Sequence, residues 1–323
     1  MKIGILDSNH NLPLLVEPDT ERESSNLDNL LSWYRDNSEL LSNKLLKHGA
    51  ILFRGFGVNT ILAFENFVKS VSGNLMDYVD GNSPRTKIAT GIYTSTEYPA
   101  EYPISLHNEL SYSSQWPDQL YFCCITAPKE GGETPIADSR QILKSLNPKL
   151  VEKFTLKQVK YIRNLHSGNG MGVSWQDSFK TSDKSLVEEH NRKAGINFEW
   201  KKDGGLRLSQ IRPAIATHPH TGEQVWFNQA EQFHPSTLPK DIYEAMMFCF
   251  EGNEEELPQY TCFGDNTPID VSMLDEIREA TCQQTVVFPW QEGDVLVLDN
   301  MLVCHGRRPF VGLRKILVSL SHF

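Results

Sequence analysis

The spacing of apolar residues predicts helices, the first of them early in the chain. Leucines recur near helical spacing between residues 27 and 47, and Gly49 follows as a typical helix stop. Asp138 can cap a further helix through its carboxylate. The polar stretch up to about Asn26 is predicted to be an irregular lead-in. The helices are predicted over residues 27–47, 61–71, 139–146 and 242–250.

Short continuous apolar runs predict strands that are spread widely along the chain. Helices come first and do not alternate regularly with these strands, so a doubly wound parallel sheet is not expected. The pattern favours a mainly β fold of the α+β class, a β-sandwich with helical decoration. The strands are predicted over residues 50–54, 120–125, 285–288, 295–298 and 315–320.

Residues 164–207 interrupt this pattern, because they are rich in Gly, Ser and Lys and show little periodicity. A stretch of this length is too long for an ordinary connection in a compact domain and is typical of a functional loop. We therefore predict a lid within a longer insert, at about residues 150–285, of a single domain that spans residues 1–323.

Composition and charge restrict the possible partners. The chain has 323 residues and a net charge of -10, and an acidic protein is a poor match for nucleic acid, whose binding needs a basic surface. No apolar run reaches the about 18 residues of a membrane span, and the start does not resemble a signal peptide. The six cysteines form no C-x-x-C pair, which argues against a zinc site or a disulfide framework. We predict a cytoplasmic protein with no membrane partner, while the sequence leaves its oligomeric state undefined.

The first candidate for chemistry is the sequence His107-Asn108-Glu109. On a strand, positions two apart point to the same face, so His107 and Glu109 can converge on one ion. A mononuclear non-haem iron(II) centre uses two such ligands plus a second histidine on one octahedral face, and it leaves the opposite positions open for co-substrate and O₂. By itself this short motif is equally typical of a surface ion pair.

Two later features supply what such a centre still needs. His305 follows the apolar run 295–298 and a polar turn, which suits a strand end that faces a cavity. Nine residues later, Arg314 precedes the last predicted strand, where its guanidinium can bind a carboxylate through two hydrogen bonds. The Gly-Gly-Glu-Thr sequence at residues 131–134 offers the hydroxyl of Thr134 to the same carboxylate.

The order of these motifs resembles the taurine dioxygenase/TfdA-like branch of the Fe(II)/2-oxoglutarate oxygenases, also called clavaminate-synthase-like. The resemblance covers most of the chain, from residues 48–56 to residues 299–314. Its finer features, among them His-Asn-Glu at 107–109 and Gly-Gly-Glu-Thr-Pro-Ile-Ala-Asp at 131–138, are similar to the syringomycin-hydroxylase-like subgroup. The resemblance implies a double-stranded β-helix, or jelly roll, with a large insert after Thr134.

The same resemblance implies a role for each motif. It makes His107, Glu109 and His305 the Fe(II) ligands. It makes Thr134 and Arg314 the residues that hold the distal carboxylate of the co-substrate 2-oxoglutarate. A dioxygenase of this kind consumes O₂ and releases succinate and CO₂.

Two departures from the family pattern narrow the expected reaction. Many relatives have Asp where this chain has Glu109, and the halogenases of the superfamily have a small residue there, which leaves room for chloride. Because Glu109 fills that room, hydroxylation is expected rather than halogenation. Val318 stands where taurine dioxygenase has a second arginine, so a sulfonate substrate is not expected.

The subgroup resemblance implies a small-molecule substrate, an amino acid that is either free or bound as an aminoacyl group to a carrier protein, hydroxylated in specialised-metabolite biosynthesis. Desaturation and cyclisation stay open, because both begin with the same hydrogen abstraction. A non-catalytic jelly-roll binding module is the alternative from another class. The candidate substrate residues are Arg85, Glu97, Asn108, Arg163, Trp175, Asn228 and Arg308.

A zinc hydrolase built on His218, His220 and His234 is a weaker alternative. The spacing of these histidines matches no zinc signature, and the H-E-x-x-H motif is absent. We expect His218 and His220 to face solvent in a turn beside Pro219.

Overall fold

The computed structural model describes residues 1–19, 26–78 and 85–322. The helices within these ranges are α1 (Leu27–Asp36), α2 (Ser38–His48), α3 (Ile61–Val71), α4 (Ser139–Ser145), α5 (Pro148–Lys157), α6 (Trp175–Phe179), α7 (Lys184–Ala194), α8 (Ala230–Phe233), α9 (Lys240–Cys249) and α10 (Val271–Gln283), with 3-10 turns at Pro235–Thr237 and Glu254–Glu256. The strands are β1 (Lys2–Asp7), β2 (Leu12–Glu17), β3 (Ala50–Phe53), β4 (Asn74–Leu75), β5 (Lys87–Ala89), β6 (Ile92–Thr94), β7 (Ile104–His107), β8 (Gln119–Thr126), β9 (Glu130–Gly131), β10 (Ile136–Asp138), β11 (Val159–Leu165), β12 (Asn197–Trp200), β13 (Leu206–Arg212), β14 (Ile215–Thr217), β15 (Gln224–Trp226), β16 (Gln259–Phe263), β17 (Thr285–Val286), β18 (Val295–Asp299), β19 (Val303–Arg307), β20 (Phe310–Val311) and β21 (Lys315–His322).

The largest sheet has nine strands in the order β1-β2-β3-β18-β8-β21-β6-β5, with β4 paired to β21. Strands that are neighbours in this sheet come from opposite ends of the chain, since β18 pairs antiparallel with both β3 and β8. Helices α1 to α3 cover one face, where Leu30, Phe64 and Phe67 pack with Phe53 of β3. Because both faces of this sheet are buried, its strands appear in the sequence as continuous apolar runs rather than as alternating patterns.

A four-stranded sheet, β17-β10-β19-β7, lies against the other face. Phe122 and Val318 of the large sheet share one apolar cluster with Ile136 and Val303 of the smaller sheet. Two mainly antiparallel sheets thus enclose a common core, which confirms the predicted α+β jelly roll. The outer face of the smaller sheet is covered by α4, α5 and α10.

The insert at residues 150–285 contains a third sheet, β12-β13-β11-β16. The prediction that residues 164–207 lack regular structure is wrong, because they form α6, α7, β12 and the start of β13. Trp175, Val187 and Leu208 belong to a small apolar core of their own. Each of these short elements contributes only one or two apolar residues to that core, so no long periodic pattern marks them in the sequence.

Two further expectations differ from the structure near the N-terminus. The stretch expected to be irregular contains β1 and β2, and β2 pairs parallel with β3, so this prediction is wrong for residues 1–19; residues 20–25 lie outside the described residues. The helix predicted over residues 27–47 is divided at Asn37, whose side-chain Nδ2 donates to the Trp33 carbonyl at 2.9 Å. The helix over residues 61–71 is confirmed. Among the described residues, no helix has both the length and the apolar composition needed to cross a membrane.

Candidate active site

Two neighbouring strands of the smaller sheet bring the predicted metal ligands together. β7 and β19 pair antiparallel with His107 opposite His305, and their rings lie 4.6 Å apart. Glu109 lies two residues beyond the end of β7, and the chain turns at Leu110, which has a φ of 56°. One donor atom from each of His107, Glu109 and His305 lies within 4.8 Å of the other two.

Hydrogen bonding and burial set the chemical form of both imidazoles. The Nδ1 of His107 lies 2.8 Å from the Ser105 carbonyl, which can only accept, so Nδ1 carries the proton and Nε2 keeps its lone pair for a metal. Burial holds the pKa of His305 well below its usual range, and the neighbouring His107 and the Arg85 charge act in the same direction. Burial therefore keeps the His305 imidazole neutral near neutral pH, and the Nδ1 hydrogen bond of His107 leaves its Nε2 as the nitrogen that can face a metal.

Asn300 fixes the backbone of Glu109 from both sides. Its Oδ1 accepts the Glu109 N–H at 2.7 Å, and its Nδ2 donates to the carbonyls of Glu109 and Pro117, each at 2.9 Å. Both Asn300 and Glu109 are buried. The sequence reasoning missed Asn300, although a polar residue between the apolar runs of β18 and β19 is a usable signal for such a role.

Arg85, one of the predicted substrate residues, binds the carboxylate of Glu109. Its Nη2 donates to Glu109 Oε2 at 2.5 Å, and its guanidinium stacks 4.6 Å from the centre of the Tyr78 ring. Both partners of the ion pair are buried. Burial opposes the charged form of Arg85, but Glu109 and Tyr78 together outweigh this effect and raise the pKa of Arg85. Arg85 therefore neutralises the buried carboxylate of a residue that the sequence predicts to bind the metal.

Replacing Arg85 by Met is expected to destabilise the metal-free protein by about 3–5 kcal/mol, because the Glu109 charge is left buried without a partner. A divalent cation compensates for that charge, so Mn²⁺ should raise the melting temperature of Arg85→Met more than that of the native protein. The matched control is the double variant with Glu109→Gln, which removes both charges and should recover most of the lost stability. Denaturation with and without Mn²⁺ measures the stability of the native protein and of both variants. An Arg85→Met protein as stable as the native one would refute the role of Arg85 as the partner of the Glu109 charge.

A second group of residues forms a cationic pocket close to the triad. Arg314 Nε donates to the Gly132 carbonyl at 2.8 Å, and its Nη2 lies 3.4 Å from Thr134 Oγ1. The same hydroxyl accepts from Trp290 Nε1 at 3.1 Å. Gly132 has a φ of +70°, and a Cβ there would come within 2.9 Å of Phe310 Cβ, so this close approach requires glycine.

The charge of Arg314 has no carboxylate partner within ion-pair distance among the residues that the structure describes. Burial, with a smaller contribution from Arg307, lowers the pKa of Arg314 to about 10, so its guanidinium stays charged near neutral pH. A half-buried cation of this kind is suited to the carboxylate of a ligand. Val318 lies opposite Phe122 in the apolar core, so it adds no second cation.

These residues fit the groups that the sequence implies. Two imidazoles and one carboxylate whose donor atoms lie within 4.8 Å of one another match the donor set of a mononuclear iron(II) site with open positions. Phe122 closes the back of the site, with its ring 5.0 Å from that of His305. The arrangement can hold one divalent metal and, beside it, a dicarboxylate whose far end reaches Arg314 and Thr134.

Two cavities flank strand β7, and a third adjoins one of them. One of about 320 Å³ is lined by His107 and Glu109 and by several tyrosines; we call it the metal-side cavity. A second of about 380 Å³, the outer cavity, extends beneath α9 and shares residues Tyr98, Gln232, Thr237, Leu238 and Gln259 with the first. A third of about 400 Å³ lies on the far side of β7.

Three of the predicted substrate residues line the third cavity and not the metal-side cavity. They are Asn108, Asn228 and Arg308. The Asn108 amide donates to the Asn300 carbonyl at 2.6 Å and to Ser139 Oγ at 3.2 Å, so it braces the ligand loop. Asn228 donates to the Ala214 carbonyl at 2.9 Å, while Arg308 is exposed.

The remaining predicted substrate residues line none of these three cavities. Glu97 is exposed and accepts from Thr94 Oγ1 at 2.8 Å. Arg163 belongs to the insert sheet, where it donates to Ser178 Oγ at 2.8 Å. Trp175 packs edge-to-face against Trp200 at 5.2 Å in the core of the insert. Residue type and position in the predicted lid did not reveal that these side chains stabilise the insert itself.

The expectation that His218 faces solvent is wrong. His218 is buried, and its Nε2 lies 3.0 Å from the Asp299 carboxylate. The hairpin of β14 and β15 folds this turn inward, whereas His220 is exposed as expected. The other ring nitrogen, Nδ1, accepts from the backbone N–H groups of His220 and Thr221 at 3.3 and 3.1 Å, so both nitrogens of His218 are occupied. Within the described part of the chain, the only cluster of metal-type donors is that of His107, Glu109 and His305.

Comparison with known proteins agrees with this geometry. The sequence model of the family described as "Taurine catabolism dioxygenase TauD, TfdA family" matches residues 13–320. The chain is 38% identical over 282 residues to the dapdiamide synthesis protein DdaC of Enterobacter agglomerans, covering 87% of this chain and 83% of that protein. It is 32% identical over 289 residues to a clavaminate synthase-like protein of Arabidopsis thaliana, with the same coverage of 87% and 83%.

Solved structures share the fold at low sequence identity. PvcB of Pseudomonas aeruginosa superimposes with a TM-score of 0.57 at 14% identity and covers 99% of this chain and 91% of its own. A structure of AAD-2 in complex with Mn(II) and N-oxalylglycine gives a TM-score of 0.57 at 10% identity, covering 100% of this chain and 97% of its own. These likenesses support the jelly-roll fold over the whole chain.

Proposed function

The chain belongs to the TauD/TfdA family of dioxygenases, which use Fe(II) and 2-oxoglutarate, and from this premise we propose that it hydroxylates an unactivated C–H bond of an amino acid, free or carrier-tethered, in specialised-metabolite biosynthesis. The whole chain acts as one oxygenase domain with a lid in the insert. The observation that carries the proposal is the convergence of His107, Glu109 and His305 within 4.8 Å, beside an arginine that has no carboxylate partner among the described residues.

Each residue of the site has a defined task in this proposal. His107, Glu109 and His305 hold the iron, and Thr134 and Arg314 hold the distal carboxylate of 2-oxoglutarate. With O₂ and 2-oxoglutarate, iron supplies an oxidant able to attack an unactivated C–H bond, and the co-substrate leaves as succinate and CO₂. Phe122, Trp290 and the surrounding core exclude water from this chemistry.

Two observations support the finer parts of the proposal. Glu109 occupies the position that a halide would need, and Arg85 fixes its carboxylate there, which favours hydroxylation over halogenation. The 38% identity to a protein of dapdiamide synthesis supports a biosynthetic role. A non-catalytic binding module would need neither the three metal donors nor the arginine behind them.

The test is anaerobic loading of the purified protein with Fe(II) and 2-oxoglutarate, followed by O₂ and a panel of free and carrier-bound amino acids. We expect one iron per chain, a visible metal-to-ligand charge-transfer band with 2-oxoglutarate, and succinate formation that one substrate class stimulates. Mass spectrometry of the stimulating substrate should show the gain of one oxygen atom. Loss of two hydrogens instead would favour desaturation or cyclisation, and failure to bind iron would refute the proposal.

A further inference from the structure

His218 and Asp299 form a buried pair outside the cavities of the site. Their side chains are 2% and 1% exposed, and His218 Nε2 lies 3.0 Å from Asp299 Oδ2. Because His218 Nδ1 accepts two backbone N–H groups, it carries no proton, and Nε2 is the nitrogen that donates to the carboxylate. As far as the described residues define the three cavities, His218 lines none of them. Its role is therefore different from contact with a ligand.

Asp299 connects His218 to the turn between β18 and β19, which we call the β18–β19 turn (residues 299–302). Asp299 Oδ1 accepts the N–H groups of Met301 and Leu302, each at 3.0 Å. Its Oδ2 is the oxygen that receives the His218 N–H. One carboxylate oxygen thus holds the turn from inside, and the other joins that turn to His218.

The β18–β19 turn holds the backbone around Glu109 at three points. The Asn300 side chain accepts the Glu109 N–H and donates to the Glu109 carbonyl. The Asn300 carbonyl accepts from the Asn108 side-chain amide at 2.6 Å. The turn also leads directly into β19, where His305 lies three residues after Leu302. The positions of two of the three proposed metal ligands therefore depend on where this turn lies.

His218 itself belongs to the hairpin of β14 and β15, which forms a separate two-stranded sheet. The hairpin has another polar contact at Glu223, whose carboxylate accepts from Arg140 Nη1 at 3.0 Å and is 43% exposed. Glu223 joins the hairpin to α4, which contains Arg140, whereas His218 joins it to the β18–β19 turn. The two contacts can therefore be removed separately and compared.

The burial of Asp299 makes its contact with His218 important for the turn. Without the His218 N–H, Oδ2 would lose its hydrogen bond in a place closed to water, which is costly for a carboxylate. The turn would have to shift until that oxygen found another donor. Such a shift would displace Asn300, and with it the backbone of Glu109.

We propose that His218 is a positioning residue of the metal centre, which acts through Asp299 and Asn300 to hold the Glu109 carboxylate in one position. The inference rests on the proposed function, since it takes the triad as the metal ligands. It gives the β14–β15 hairpin a part in metal binding, although the hairpin contributes no ligand of the triad.

Two polar substitutions at His218 test this role. His218→Asn keeps an acceptor near the position of Nδ1 but is too short to reach Asp299, whereas the longer amide of His218→Gln can donate there. Anaerobic titration with Fe(II), and then with 2-oxoglutarate, gives the Kd of the metal and the position of the visible charge-transfer band. Because loss of a group that orients a metal ligand costs ~10–100-fold in affinity or activity, His218→Asn should raise the Fe(II) Kd about tenfold or more and shift the band. His218→Gln should recover most of the native affinity and keep the native band.

Glu223→Gln is the matched control, because it weakens the contact of the same hairpin with α4 and leaves Asp299 its donor. It should lose stability on denaturation but keep the native Kd and band. Asp299→Asn removes the same hydrogen bond from the other side and should reproduce the result of His218→Asn, including the case in which His218→Asn fails to fold.

Three results would overturn the inference. They are native iron binding with an unchanged band in His218→Asn or Asp299→Asn, an equal loss of affinity in Glu223→Gln, and a loss in His218→Gln as large as that in His218→Asn. If the native protein binds no iron, the proposed function fails and this inference fails with it. If the native protein binds iron and the variants bind it equally well, the inference fails alone.

Discussion

His305→Ala is expected to abolish substrate-dependent succinate formation and to weaken iron binding by at least about a hundredfold. Replacement of a group that merely orients a metal ligand already costs ~10–100-fold in affinity or activity, and His305 is one of three direct donors. The two donors left, His107 and Glu109, no longer define one face of an octahedron. Succinate release and anaerobic iron titration measure the two effects.

His220→Ala provides the matched control for this experiment. It also removes an imidazole, but from an exposed turn, and it destroys the histidine pair on which a zinc hydrolase would depend. Iron binding and turnover should match those of the native protein. Unchanged succinate formation by His305→Ala, or its loss in His220→Ala, would exclude the triad as the metal centre.

Arg314→Leu is expected to raise the Kd of 2-oxoglutarate about 10- to 100-fold while leaving iron binding intact. Hydrogen bonds to a charged partner contribute about 1.5–3 kcal/mol each, and 1.4 kcal/mol corresponds to a factor of ten. Arg314→Lys keeps the charge but loses the planar guanidinium and the bond from Nε to the Gly132 carbonyl. Its Kd for 2-oxoglutarate should therefore lie between that of the native protein and that of Arg314→Leu. Titration of the charge-transfer band with 2-oxoglutarate gives the three constants.

The pattern across these variants separates two explanations. If Arg314 binds the co-substrate, excess 2-oxoglutarate restores turnover in Arg314→Leu. If Arg314 only supports the fold around Gly132, the variant loses stability and excess co-substrate has no effect. A 2-oxoglutarate constant that does not change in either variant would place the co-substrate carboxylate elsewhere.

The triad was accessible from sequence because each part follows a local rule. The short spacing of His107 and Glu109 predicted that they converge, although β7 ends at His107 and Glu109 reaches the site from the turn that follows it. His305 comes directly after the apolar residues 301–304. The supporting residues obey no such rule. Arg85 and Asn300 reach Glu109 from 24 and 191 residues away, so only the folded chain shows that they are its partners.

The same difference explains the outcome for secondary structure. Helix α3 and the central strands carry long apolar patterns and were predicted well. Strand β2 has alternating buried residues, but its stability comes from parallel pairing with β3 across a long loop. The regular structure of residues 164–207 was missed because its small core is shared among short elements that each contribute only one or two apolar residues. Trp175 lies in this stretch, which was expected to be a lid, and was therefore predicted to contact substrate, whereas the structure places it in the core of the insert.

Arg307 connects the loop at the rim of the metal-side cavity to strand β19, which also carries His305. Its guanidinium donates to the carbonyls of Tyr98, Pro99 and Tyr102, at 2.7 to 2.9 Å. Two of these residues, Tyr98 and Tyr102, line the metal-side cavity. Since these contacts are to backbone oxygens, they do not depend on the side chains of the rim. They do depend on the backbone path of the rim loop. Redesign of substrate choice is therefore best directed at tyrosine substitutions within a loop of unchanged length. A loop of different length would displace Arg307 and, two residues away, the proposed metal ligand His305.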